Sequence, residues 1–405
     1  METFSKLQSL ISENKVKSAW AIGFGGVAEG ISKMCFGNKI GFTFDKNIDN
    51  YALFNPIYGG FIVELYKNED DLDIIGHTTR EYVIRQGAQT IVDLDKIEKN
   101  YKLTLESVYP TTVSQTNSNN VENISYDNKT PRRSPKIKKA APIVLIPVFP
   151  GTNCEYDTAR QFEIYGAKCD IFVINNLTES GISDSIDNFS DKLKKANILM
   201  IPGGFSGGDE PDGSGKFITS FFRNISIKQE IHNLIKKRDG LILGICNGFQ
   251  ALIKLGLIEH GQITDPSKNS ATLTYNTIGR HQSMIITTKI ASNKSPWLSQ
   301  TTLGQTFKMP ISHGEGRFIA PEATIKKLIK NGQIATQYVD PAGNATMKLP
   351  HNPNGSYFAV EGLTSPDGRI FGKMGHSERV GANLYKNIPG VEDQLIFKAG
   401  VEYFR

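Results

Sequence analysis

The stretch LILGICNGFQALIKLG, residues 241–256, places one cysteine between two glycines, after an aliphatic run and before an apolar helical pattern. This order predicts a buried strand followed by a helix. Gly244 and Gly248 flank Cys246 with the spacing of a nucleophile elbow, a tight turn in which larger flanking side chains would collide with the strand and the helix. The thiol then lies at a helix N-terminus, where free N–H groups and the helix dipole favour the thiolate. We therefore predict a cysteine nucleophile; the alternative is a buried cysteine in a turn that needs glycine only for packing.

The sequence around this stretch alternates between strand-like and helix-like patterns. Helical patterns separate the apolar runs APIVLIPVF (141–149), KCDIFVINN (168–176) and NILMIPGG (197–204). Strands joined by helices of this size predict an α/β fold, flavodoxin-like or Rossmann-like, with a mostly parallel sheet and helices on both faces. The segment SYFAVEGLTSPDGRIFGKMG (356–375) instead predicts a hairpin with SPDG at its turn.

Composition divides the chain into three regions. Residues 1–110 combine short strand-like and helical patterns around AWAIGFGGVAEGISKMCFGNKIG (19–41) and predict a smaller α+β domain. Residues 111–141 are rich in Ser, Thr, Asn and Lys and predict a disordered or loosely ordered linker. Residues 142–405 form the predicted α/β domain.

Charge and cysteine usage exclude several classes of protein. The net charge of +5 is small for 405 residues. It partly reflects PRRSPKIKK (131–139), for which solvated linker charge is favoured over a phosphate-binding strip, so no nucleic-acid partner is expected. The four cysteines have no paired CxxC spacing, so we expect neither a metal site nor a disulfide framework. Without an apolar leader or a run of about 18 apolar residues, the chain is expected to be cytoplasmic, with no membrane partner.

A cysteine nucleophile needs a base and a group that orients the base. In GKMGHSER (372–379), His376 and Glu378 are two residues apart, so in extended backbone they point the same way and the carboxylate can hold the imidazole tautomer. His313 in SHGEGR is the serious rival. His232, His260 and His351 lie in helical or loop contexts that give less support.

Cleavage of an acyl group also needs donors for the oxyanion. Gly203 and Gly204 follow a strand near the predicted centre of the sheet, where sheets of this kind bind ligands. Their backbone N–H groups, with the N–H of Asn247, are the candidates. A merely flexible glycine loop is the alternative.

Taken together, these features resemble the class I (triad) glutamine amidotransferases. The shared motifs are the GxCxGxQ elbow at Gly244, Cys246, Gly248 and Gln250, the PGG loop at 202–204, and the HxE pair at His376 and Glu378. Further motifs resemble the glutaminase domain of the phosphoribosylformylglycinamidine synthase family: FPGTNCEYDTA (149–159), GGFSGGDE (203–210), HGEGR (313–317) and GVEYFR (400–405). Residues 1–110 are similar to part of that family's second synthetase-type repeat, which is related to aminoimidazole ribonucleotide synthetase.

This resemblance implies a Cys246–His376–Glu378 triad that hydrolyses glutamine. The ammonia would convert formylglycinamide ribonucleotide to formylglycinamidine ribonucleotide in purine biosynthesis. It also implies that Gln250, His313 and Glu315 lie in or near the glutamine pocket.

The resemblance further implies that ATP and Mg²⁺ act in the synthetase half of the intact enzyme. That half is missing from this sequence, so the chain is expected to be a C-terminal fragment with no cofactor of its own. Trp20 or Ala21 stands where the related synthetases carry a histidine, which favours a structural role for residues 1–110. Cys154 is expected near the site in a packing role, with a second reactive thiol as the alternative. The rival functions are a cysteine peptidase or hydrolase and a regulatory module that is inactive without a synthetase partner.

Overall fold

The computed structural model describes residues 2–45, 48–111, 121–130, 132, 134–208 and 214–405. It separates into two compact units, Met1–Thr111 (the N-terminal unit) and Thr112–Arg405 (the C-terminal unit). Parts of two predicted features, the linker 111–141 and the motif 203–210, lie outside the described residues. No helix in the described ranges combines the length and the apolar character needed to cross a membrane.

The N-terminal unit is an α+β arrangement with two small sheets. Its elements are α1 (Glu2–Ser12), β1 (Val16–Ala21), α2 (Gly26–Phe36), β2 (Gly41–Phe44), α3 (Asn50–Phe54), β3 (Phe61–Leu65), β4 (Gly76–Thr79), β5 (Val83–Gln86), β6 (Gln89–Asp93) and α4 (Leu94–Leu103). Strands β1 and β3 pair antiparallel, and the second sheet has the order β4-β2-β5-β6. Side chains such as Ile31, Phe42 and Ile84 form a separate small core.

The C-terminal unit contains the remaining helices and strands. In chain order they are β7 (Ile143–Val148), α5 (Glu155–Ile164), β8 (Lys168–Val173), α6 (Glu179–Lys195), β9 (Ile198–Ile201), α7 (Lys216–Phe222), α8 (Ile225–Lys236), β10 (Leu241–Ile245), α9 (Asn247–Lys254), α10 (Leu257–His260), β11 (Thr272–Tyr275), β12 (Gln282–Ile290), β13 (Thr306–His313), β14 (Glu315–Ile319), α11 (Glu322–Lys330), β15 (Ile334–Tyr338), β16 (Val360–Thr364), β17 (Ile370–Lys373) and α12 (Ile396–Glu402). Within the described ranges of this unit, short 3₁₀ turns lie at Ser206–Gly208, Pro296–Leu298 and Tyr357–Ala359.

A nine-stranded sheet organises this unit, with the order β13-β12-β15-β16-β17-β10-β9-β7-β8. The strands from β17 to β8 are parallel, whereas those from β13 to β16 pair antiparallel with their neighbours. Strands β9 and β10 are buried along their whole length, as expected for strands covered on both faces. The predicted α/β class is confirmed, and so is the hairpin between β16 and β17. Beyond β16, the sheet continues with the antiparallel strands β15, β12 and β13.

Strands β9, β10 and β17 are neighbours and run parallel, so their carboxyl ends meet at one edge of the sheet. Immediately beyond those ends lie Gly203 and Gly204, Cys246, and the loop that carries His376 and Glu378. The topology therefore brings together three motifs that are far apart in sequence.

Part of the predicted linker differs from the loosely ordered segment that its composition predicts. Residues 121–130 lie on the C-terminal unit, where Ile124 is buried and its N–H donates to Gln337 Oε1 at 2.8 Å. The N–H of Tyr126 donates to the carbonyl of Ala291 at 2.8 Å. Composition records how few apolar residues the segment has, but not that one of them occupies a core position.

Candidate active site

Cys246 occupies a strained turn between β10 and α9. Its φ and ψ are +52° and −106°, a conformation that residues other than glycine rarely adopt. The N–H of Cys246 donates to the carbonyl of Lys373 at 2.8 Å, which fixes the turn against β17. Strain of this kind persists only where the surroundings impose it, and it is concentrated at functional sites.

Neighbouring atoms leave no room for a side chain at either glycine that flanks Cys246. A Cβ on Gly248 would lie 2.0 Å from the carbonyl oxygen of Ile201, and one on Gly244 would lie 2.6 Å from Leu252 Cδ1. Strand β9 and helix α9 can therefore approach the turn only because both positions lack a side chain. This contact explains the elbow spacing.

The His376 imidazole is held by Glu378 and contacts Cys246. His376 Nδ1 lies 2.5 Å from Glu378 Oε1, and both side chains are buried. Burial alone would lower the pKa of His376, but the charges of Glu378 and Cys246, with hydrogen bonds to Cys154 and Cys246, raise it well above its usual value. Burial would likewise raise the pKa of Glu378, yet the imidazolium charge lowers it. The arrangement favours an imidazolium paired with a carboxylate beside the thiol.

The PGG loop packs directly against these groups. A Cβ on Gly203 would lie 2.8 Å from His376 Cε1 and 3.5 Å from Cys246 Cβ. Gly204 has a φ of +149° and forms an isolated bridge with Thr152 that uses the N–H groups of Asn153 and Phe205. The bridge does not consume the N–H of Gly204, so this group stays a candidate oxyanion donor beside that of Asn247.

Gln250 and Glu315 are hydrogen-bonded within the protein, and their predicted contact with glutamine stays a prediction. The amide nitrogen of Gln250 donates to the Glu315 carbonyl, and its oxygen accepts a hydrogen bond from Asn247 Nδ2 at 3.0 Å. Glu315 Oε2 accepts a hydrogen bond from the N–H of Ser214 at 2.9 Å. These side chains therefore position the loops around the site. The spacing places Gln250 one helical turn after Cys246, but it does not show which group its amide meets.

His313 is completely buried, and its pKa is shifted in the opposite direction to that of His376. Its Nδ1 lies 3.2 Å from Asn276 Oδ1, and burial with the positive charges of His376 and His281 lowers the pKa of His313 to about 3. A group of that pKa is a poor base near neutral pH. The geometry therefore favours His376 as the base, and His313 offers a neutral ring whose Nε2 has no partner among the described residues.

The buried neutral state of His313 predicts a pH-dependent loss of stability. The unfolded state takes up a proton below about pH 6.5, whereas the folded state stays neutral down to about pH 3. In this window the free energy of unfolding should fall as pH falls, by about 1.4 kcal/mol per pH unit from this residue. We expect a shallower slope for His313→Gln in urea titrations from pH 6 to 4.5, followed by fluorescence of the buried Trp297 in a Trp20→Phe background. Equal slopes would contradict this assignment.

The structure adds to the packing role predicted for Cys154, and it shows an ion pair that was not identified from the sequence. Cys154 Sγ lies 3.8 Å from His376 Nδ1 and accepts a hydrogen bond from Arg379 Nη2 at 3.3 Å, so its contacts go beyond packing. Lys373 and Glu361 form a completely buried ion pair, Nζ to Oε1 3.6 Å, next to the loop that carries His376. The sequence pointed to this pair only through Lys373, a charged residue in the otherwise apolar strand β17.

The ion pair fixes the backbone of that loop. Glu361 Oε1 accepts a hydrogen bond from the N–H of Gly375 at 2.7 Å, and Lys373 Nζ donates to Ser377 Oγ at 2.8 Å. The residues on either side of His376 are thereby held by charged groups. Such hydrogen bonds are stronger than neutral ones.

Residues 141–404 match the CobB/CobQ-like glutamine amidotransferase domain, and the chain belongs to this family. It is similar to the phosphoribosylformylglycinamidine synthase subunit PurQ of Methanococcus maripaludis, with 38% identity over 289 residues, 66% of this chain and 98% of that protein. The PurQ subunit of Aquifex aeolicus is 28% identical over 244 residues, covering 60% of this chain and 93% of that protein. Among solved structures, PurLQS from Thermotoga maritima aligns with 24% identity and a TM-score of 0.48, over 65% of this chain and 100% of that chain.

Proposed function

We propose that the C-terminal unit hydrolyses glutamine and supplies ammonia for the synthesis of formylglycinamidine ribonucleotide. The observation that carries this proposal is Cys246 on a strained elbow, packed with a histidine that Glu378 holds against the same glycine, Gly203. The family membership and the PurQ relatives support glutamine as the substrate and this reaction as the destination of the ammonia.

In the proposed reaction the sulfur of Cys246 attacks the side-chain amide carbon of glutamine. The N–H groups of Gly204 and Asn247 stabilise the oxyanion, and the His376 imidazolium gives its proton to the departing nitrogen, because ammonia leaves far more readily than amide ion. The carbon–nitrogen bond breaks and a glutamyl thioester remains. His376 then accepts a proton from water, which attacks the thioester and releases glutamate and the thiolate.

The step that uses ammonia is assigned to a synthetase component outside this sequence. ATP, Mg²⁺ and formylglycinamide ribonucleotide would bind there. Residues 1–110 are assigned to a partial synthetase-type domain with a structural role, followed by the linker 111–141. A cytoplasmic location fits this pathway.

The test is a measurement of glutamate and ammonia release by the purified chain. One mixture contains the chain alone. The other also contains ATP, Mg²⁺, formylglycinamide ribonucleotide and a separately produced synthetase component of phosphoribosylformylglycinamidine synthase. We expect hydrolysis that the complete mixture stimulates, with formylglycinamidine ribonucleotide as product. An absence of glutamine hydrolysis in both mixtures would contradict the proposal and favour a regulatory module. Peptide cleavage without glutamine hydrolysis would favour a peptidase.

A further inference from the structure

Three potential metal ligands of different kinds converge at the back of the His376 ring. The thiol of Cys154, a ring nitrogen of His376 and a carboxylate oxygen of Glu378 all lie within 4.8 Å of one another. All three side chains are buried, with exposed fractions of 2% or less. The proposed hydrolysis uses the histidine and the carboxylate but gives the Cys154 sulfur no role.

Two further contacts bear on what this cluster can bind. Glu378 Oε2 is buried and has no hydrogen-bond partner among the described residues, so one carboxylate oxygen is left over after Oε1 binds the imidazole. Arg379 Nη2 donates a hydrogen bond to Cys154 Sγ at 3.3 Å, and a cysteine binds a metal as the thiolate. Because a metal-bound thiolate can still accept an N–H hydrogen bond, Arg379 can remain in place.

The distances suit a small tetrahedral ion. Zinc binds sulfur at about 2.3 Å and nitrogen or oxygen at about 2.0–2.2 Å, which puts neighbouring ligand atoms roughly 3.3–3.8 Å apart. Cys154 Sγ and His376 Nδ1 are already 3.8 Å apart. The 2.5 Å contact between His376 Nδ1 and Glu378 Oε1 is too short for two ligands of one ion and has to open. A cation would therefore replace the proton that lies between these two atoms.

We propose that Cys154, His376 and Glu378 form an inhibitory site for a borderline-soft divalent cation such as Zn²⁺. Binding forms bonds from the metal to Sγ, Nδ1 and a carboxylate oxygen, and it releases the thiol proton and the Nδ1 proton to solvent. The ion then takes the imidazole away from its carboxylate partner, so Cys246 loses its acid and base. The inhibitory consequence rests on the proposed function, whereas the binding site does not.

Binding is tested without reference to activity by titrating the full chain with Co²⁺, a spectroscopic substitute for Zn²⁺. We expect sulfur-to-cobalt charge-transfer absorption that is retained in Cys246→Ala and lost when Cys154→Ser or Cys154→Ala is added to that variant. Cys169→Ser, which removes a half-buried thiol elsewhere in the unit, is the matched control and should keep the band. A band that survives loss of Cys154 but not loss of Cys246 would overturn the proposal, and so would the absence of any band in the unmodified chain.

Inhibition is tested in parallel with Zn²⁺ in the glutamine assay, each variant being compared with its own metal-free rate. Cys154→Ser should raise the half-inhibitory Zn²⁺ concentration by at least about 10-fold, because loss of a ligand weakens binding at least as much as loss of a supporting residue. An unchanged half-inhibitory concentration would overturn the inhibitory role. If the chain did not hydrolyse glutamine at all, the cobalt titration would still decide whether the site exists.

Discussion

Replacing Cys246 by alanine or serine should reduce glutamine hydrolysis by at least about 10³-fold, because removing an attacking nucleophile leaves only the contribution of binding and oxyanion stabilisation. Serine is included because it preserves the size of the side chain while providing a far less acidic attacking group. The measurement is glutamate release at saturating glutamine, together with covalent labelling by an electrophilic glutamine analogue and identification of the labelled peptide.

Cys169→Ser provides the matched control, since it removes another thiol of the same unit away from the elbow. It should retain both hydrolysis and labelling. Labelling of Cys246→Ala at the level of the unmodified chain would refute the nucleophile assignment. Labelling that moved to Cys154 would identify that thiol as the reactive one.

Replacing Glu378 by glutamine should lower kcat by about 10²–10⁴-fold, because a neutral amide neither stabilises the imidazolium nor enforces the correct tautomer. The side chain is completely buried and lies 2.5 Å from the ring, so water cannot take its place without rearrangement. The measurement is the pH profile of kcat/KM for the variant and the unmodified chain.

The direction of the pH shift follows from the charges. The Glu378 carboxylate raises the pKa of His376, so its neutralisation should lower that pKa. The descending limb at high pH, which reports loss of the imidazolium proton, should therefore move to lower pH. Glu163→Gln removes an exposed carboxylate of the same unit and should leave both rate and profile unchanged. A pH profile unchanged in Glu378→Gln, or full activity in His376→Ala, would transfer the role of base to another group, with His313 the first candidate.

The parts of the fold that the sequence predicts well are those in which local chemistry has few alternatives. The aliphatic run of β10 followed by an apolar helical pattern allowed one interpretation, and SPDG between two apolar runs identified the hairpin of β16 and β17. Gly244 and Gly248 were informative because a side chain at either position would meet backbone or side-chain atoms at less than 3 Å. The pairing of Cys246 with His376 was predicted from the need for a base and from the resemblance to the glutamine amidotransferases, and the parallel strands β10 and β17 explain why the two motifs meet.

Other features depend on contacts between distant segments that no local pattern encodes. The amide of Gln250 could reach a ligand or a backbone carbonyl, and only the position of Glu315 in the fold decides between them. Ile124 lies in a polar segment whose average composition conceals its burial. The antiparallel pairing of β12 with β13 requires knowledge of which edge of the sheet is free. A glycine loop at Gly203 and Gly204 was predictable from the sequence, but its contact with His376 was not.

The buried pair of Lys373 and Glu361 links the position of His376 to the antiparallel strands β15 and β16. Glu361 also accepts a hydrogen bond from Thr336 Oγ1 at 2.5 Å, so β15 and β16, which supply no reacting group, hold the carboxylate that anchors Gly375. A change in packing at those strands would reach the imidazole through these two hydrogen bonds and the peptide bond between Gly375 and His376. Substitutions in β15 and β16 can therefore lower activity, although these strands supply none of the groups proposed to react with glutamine.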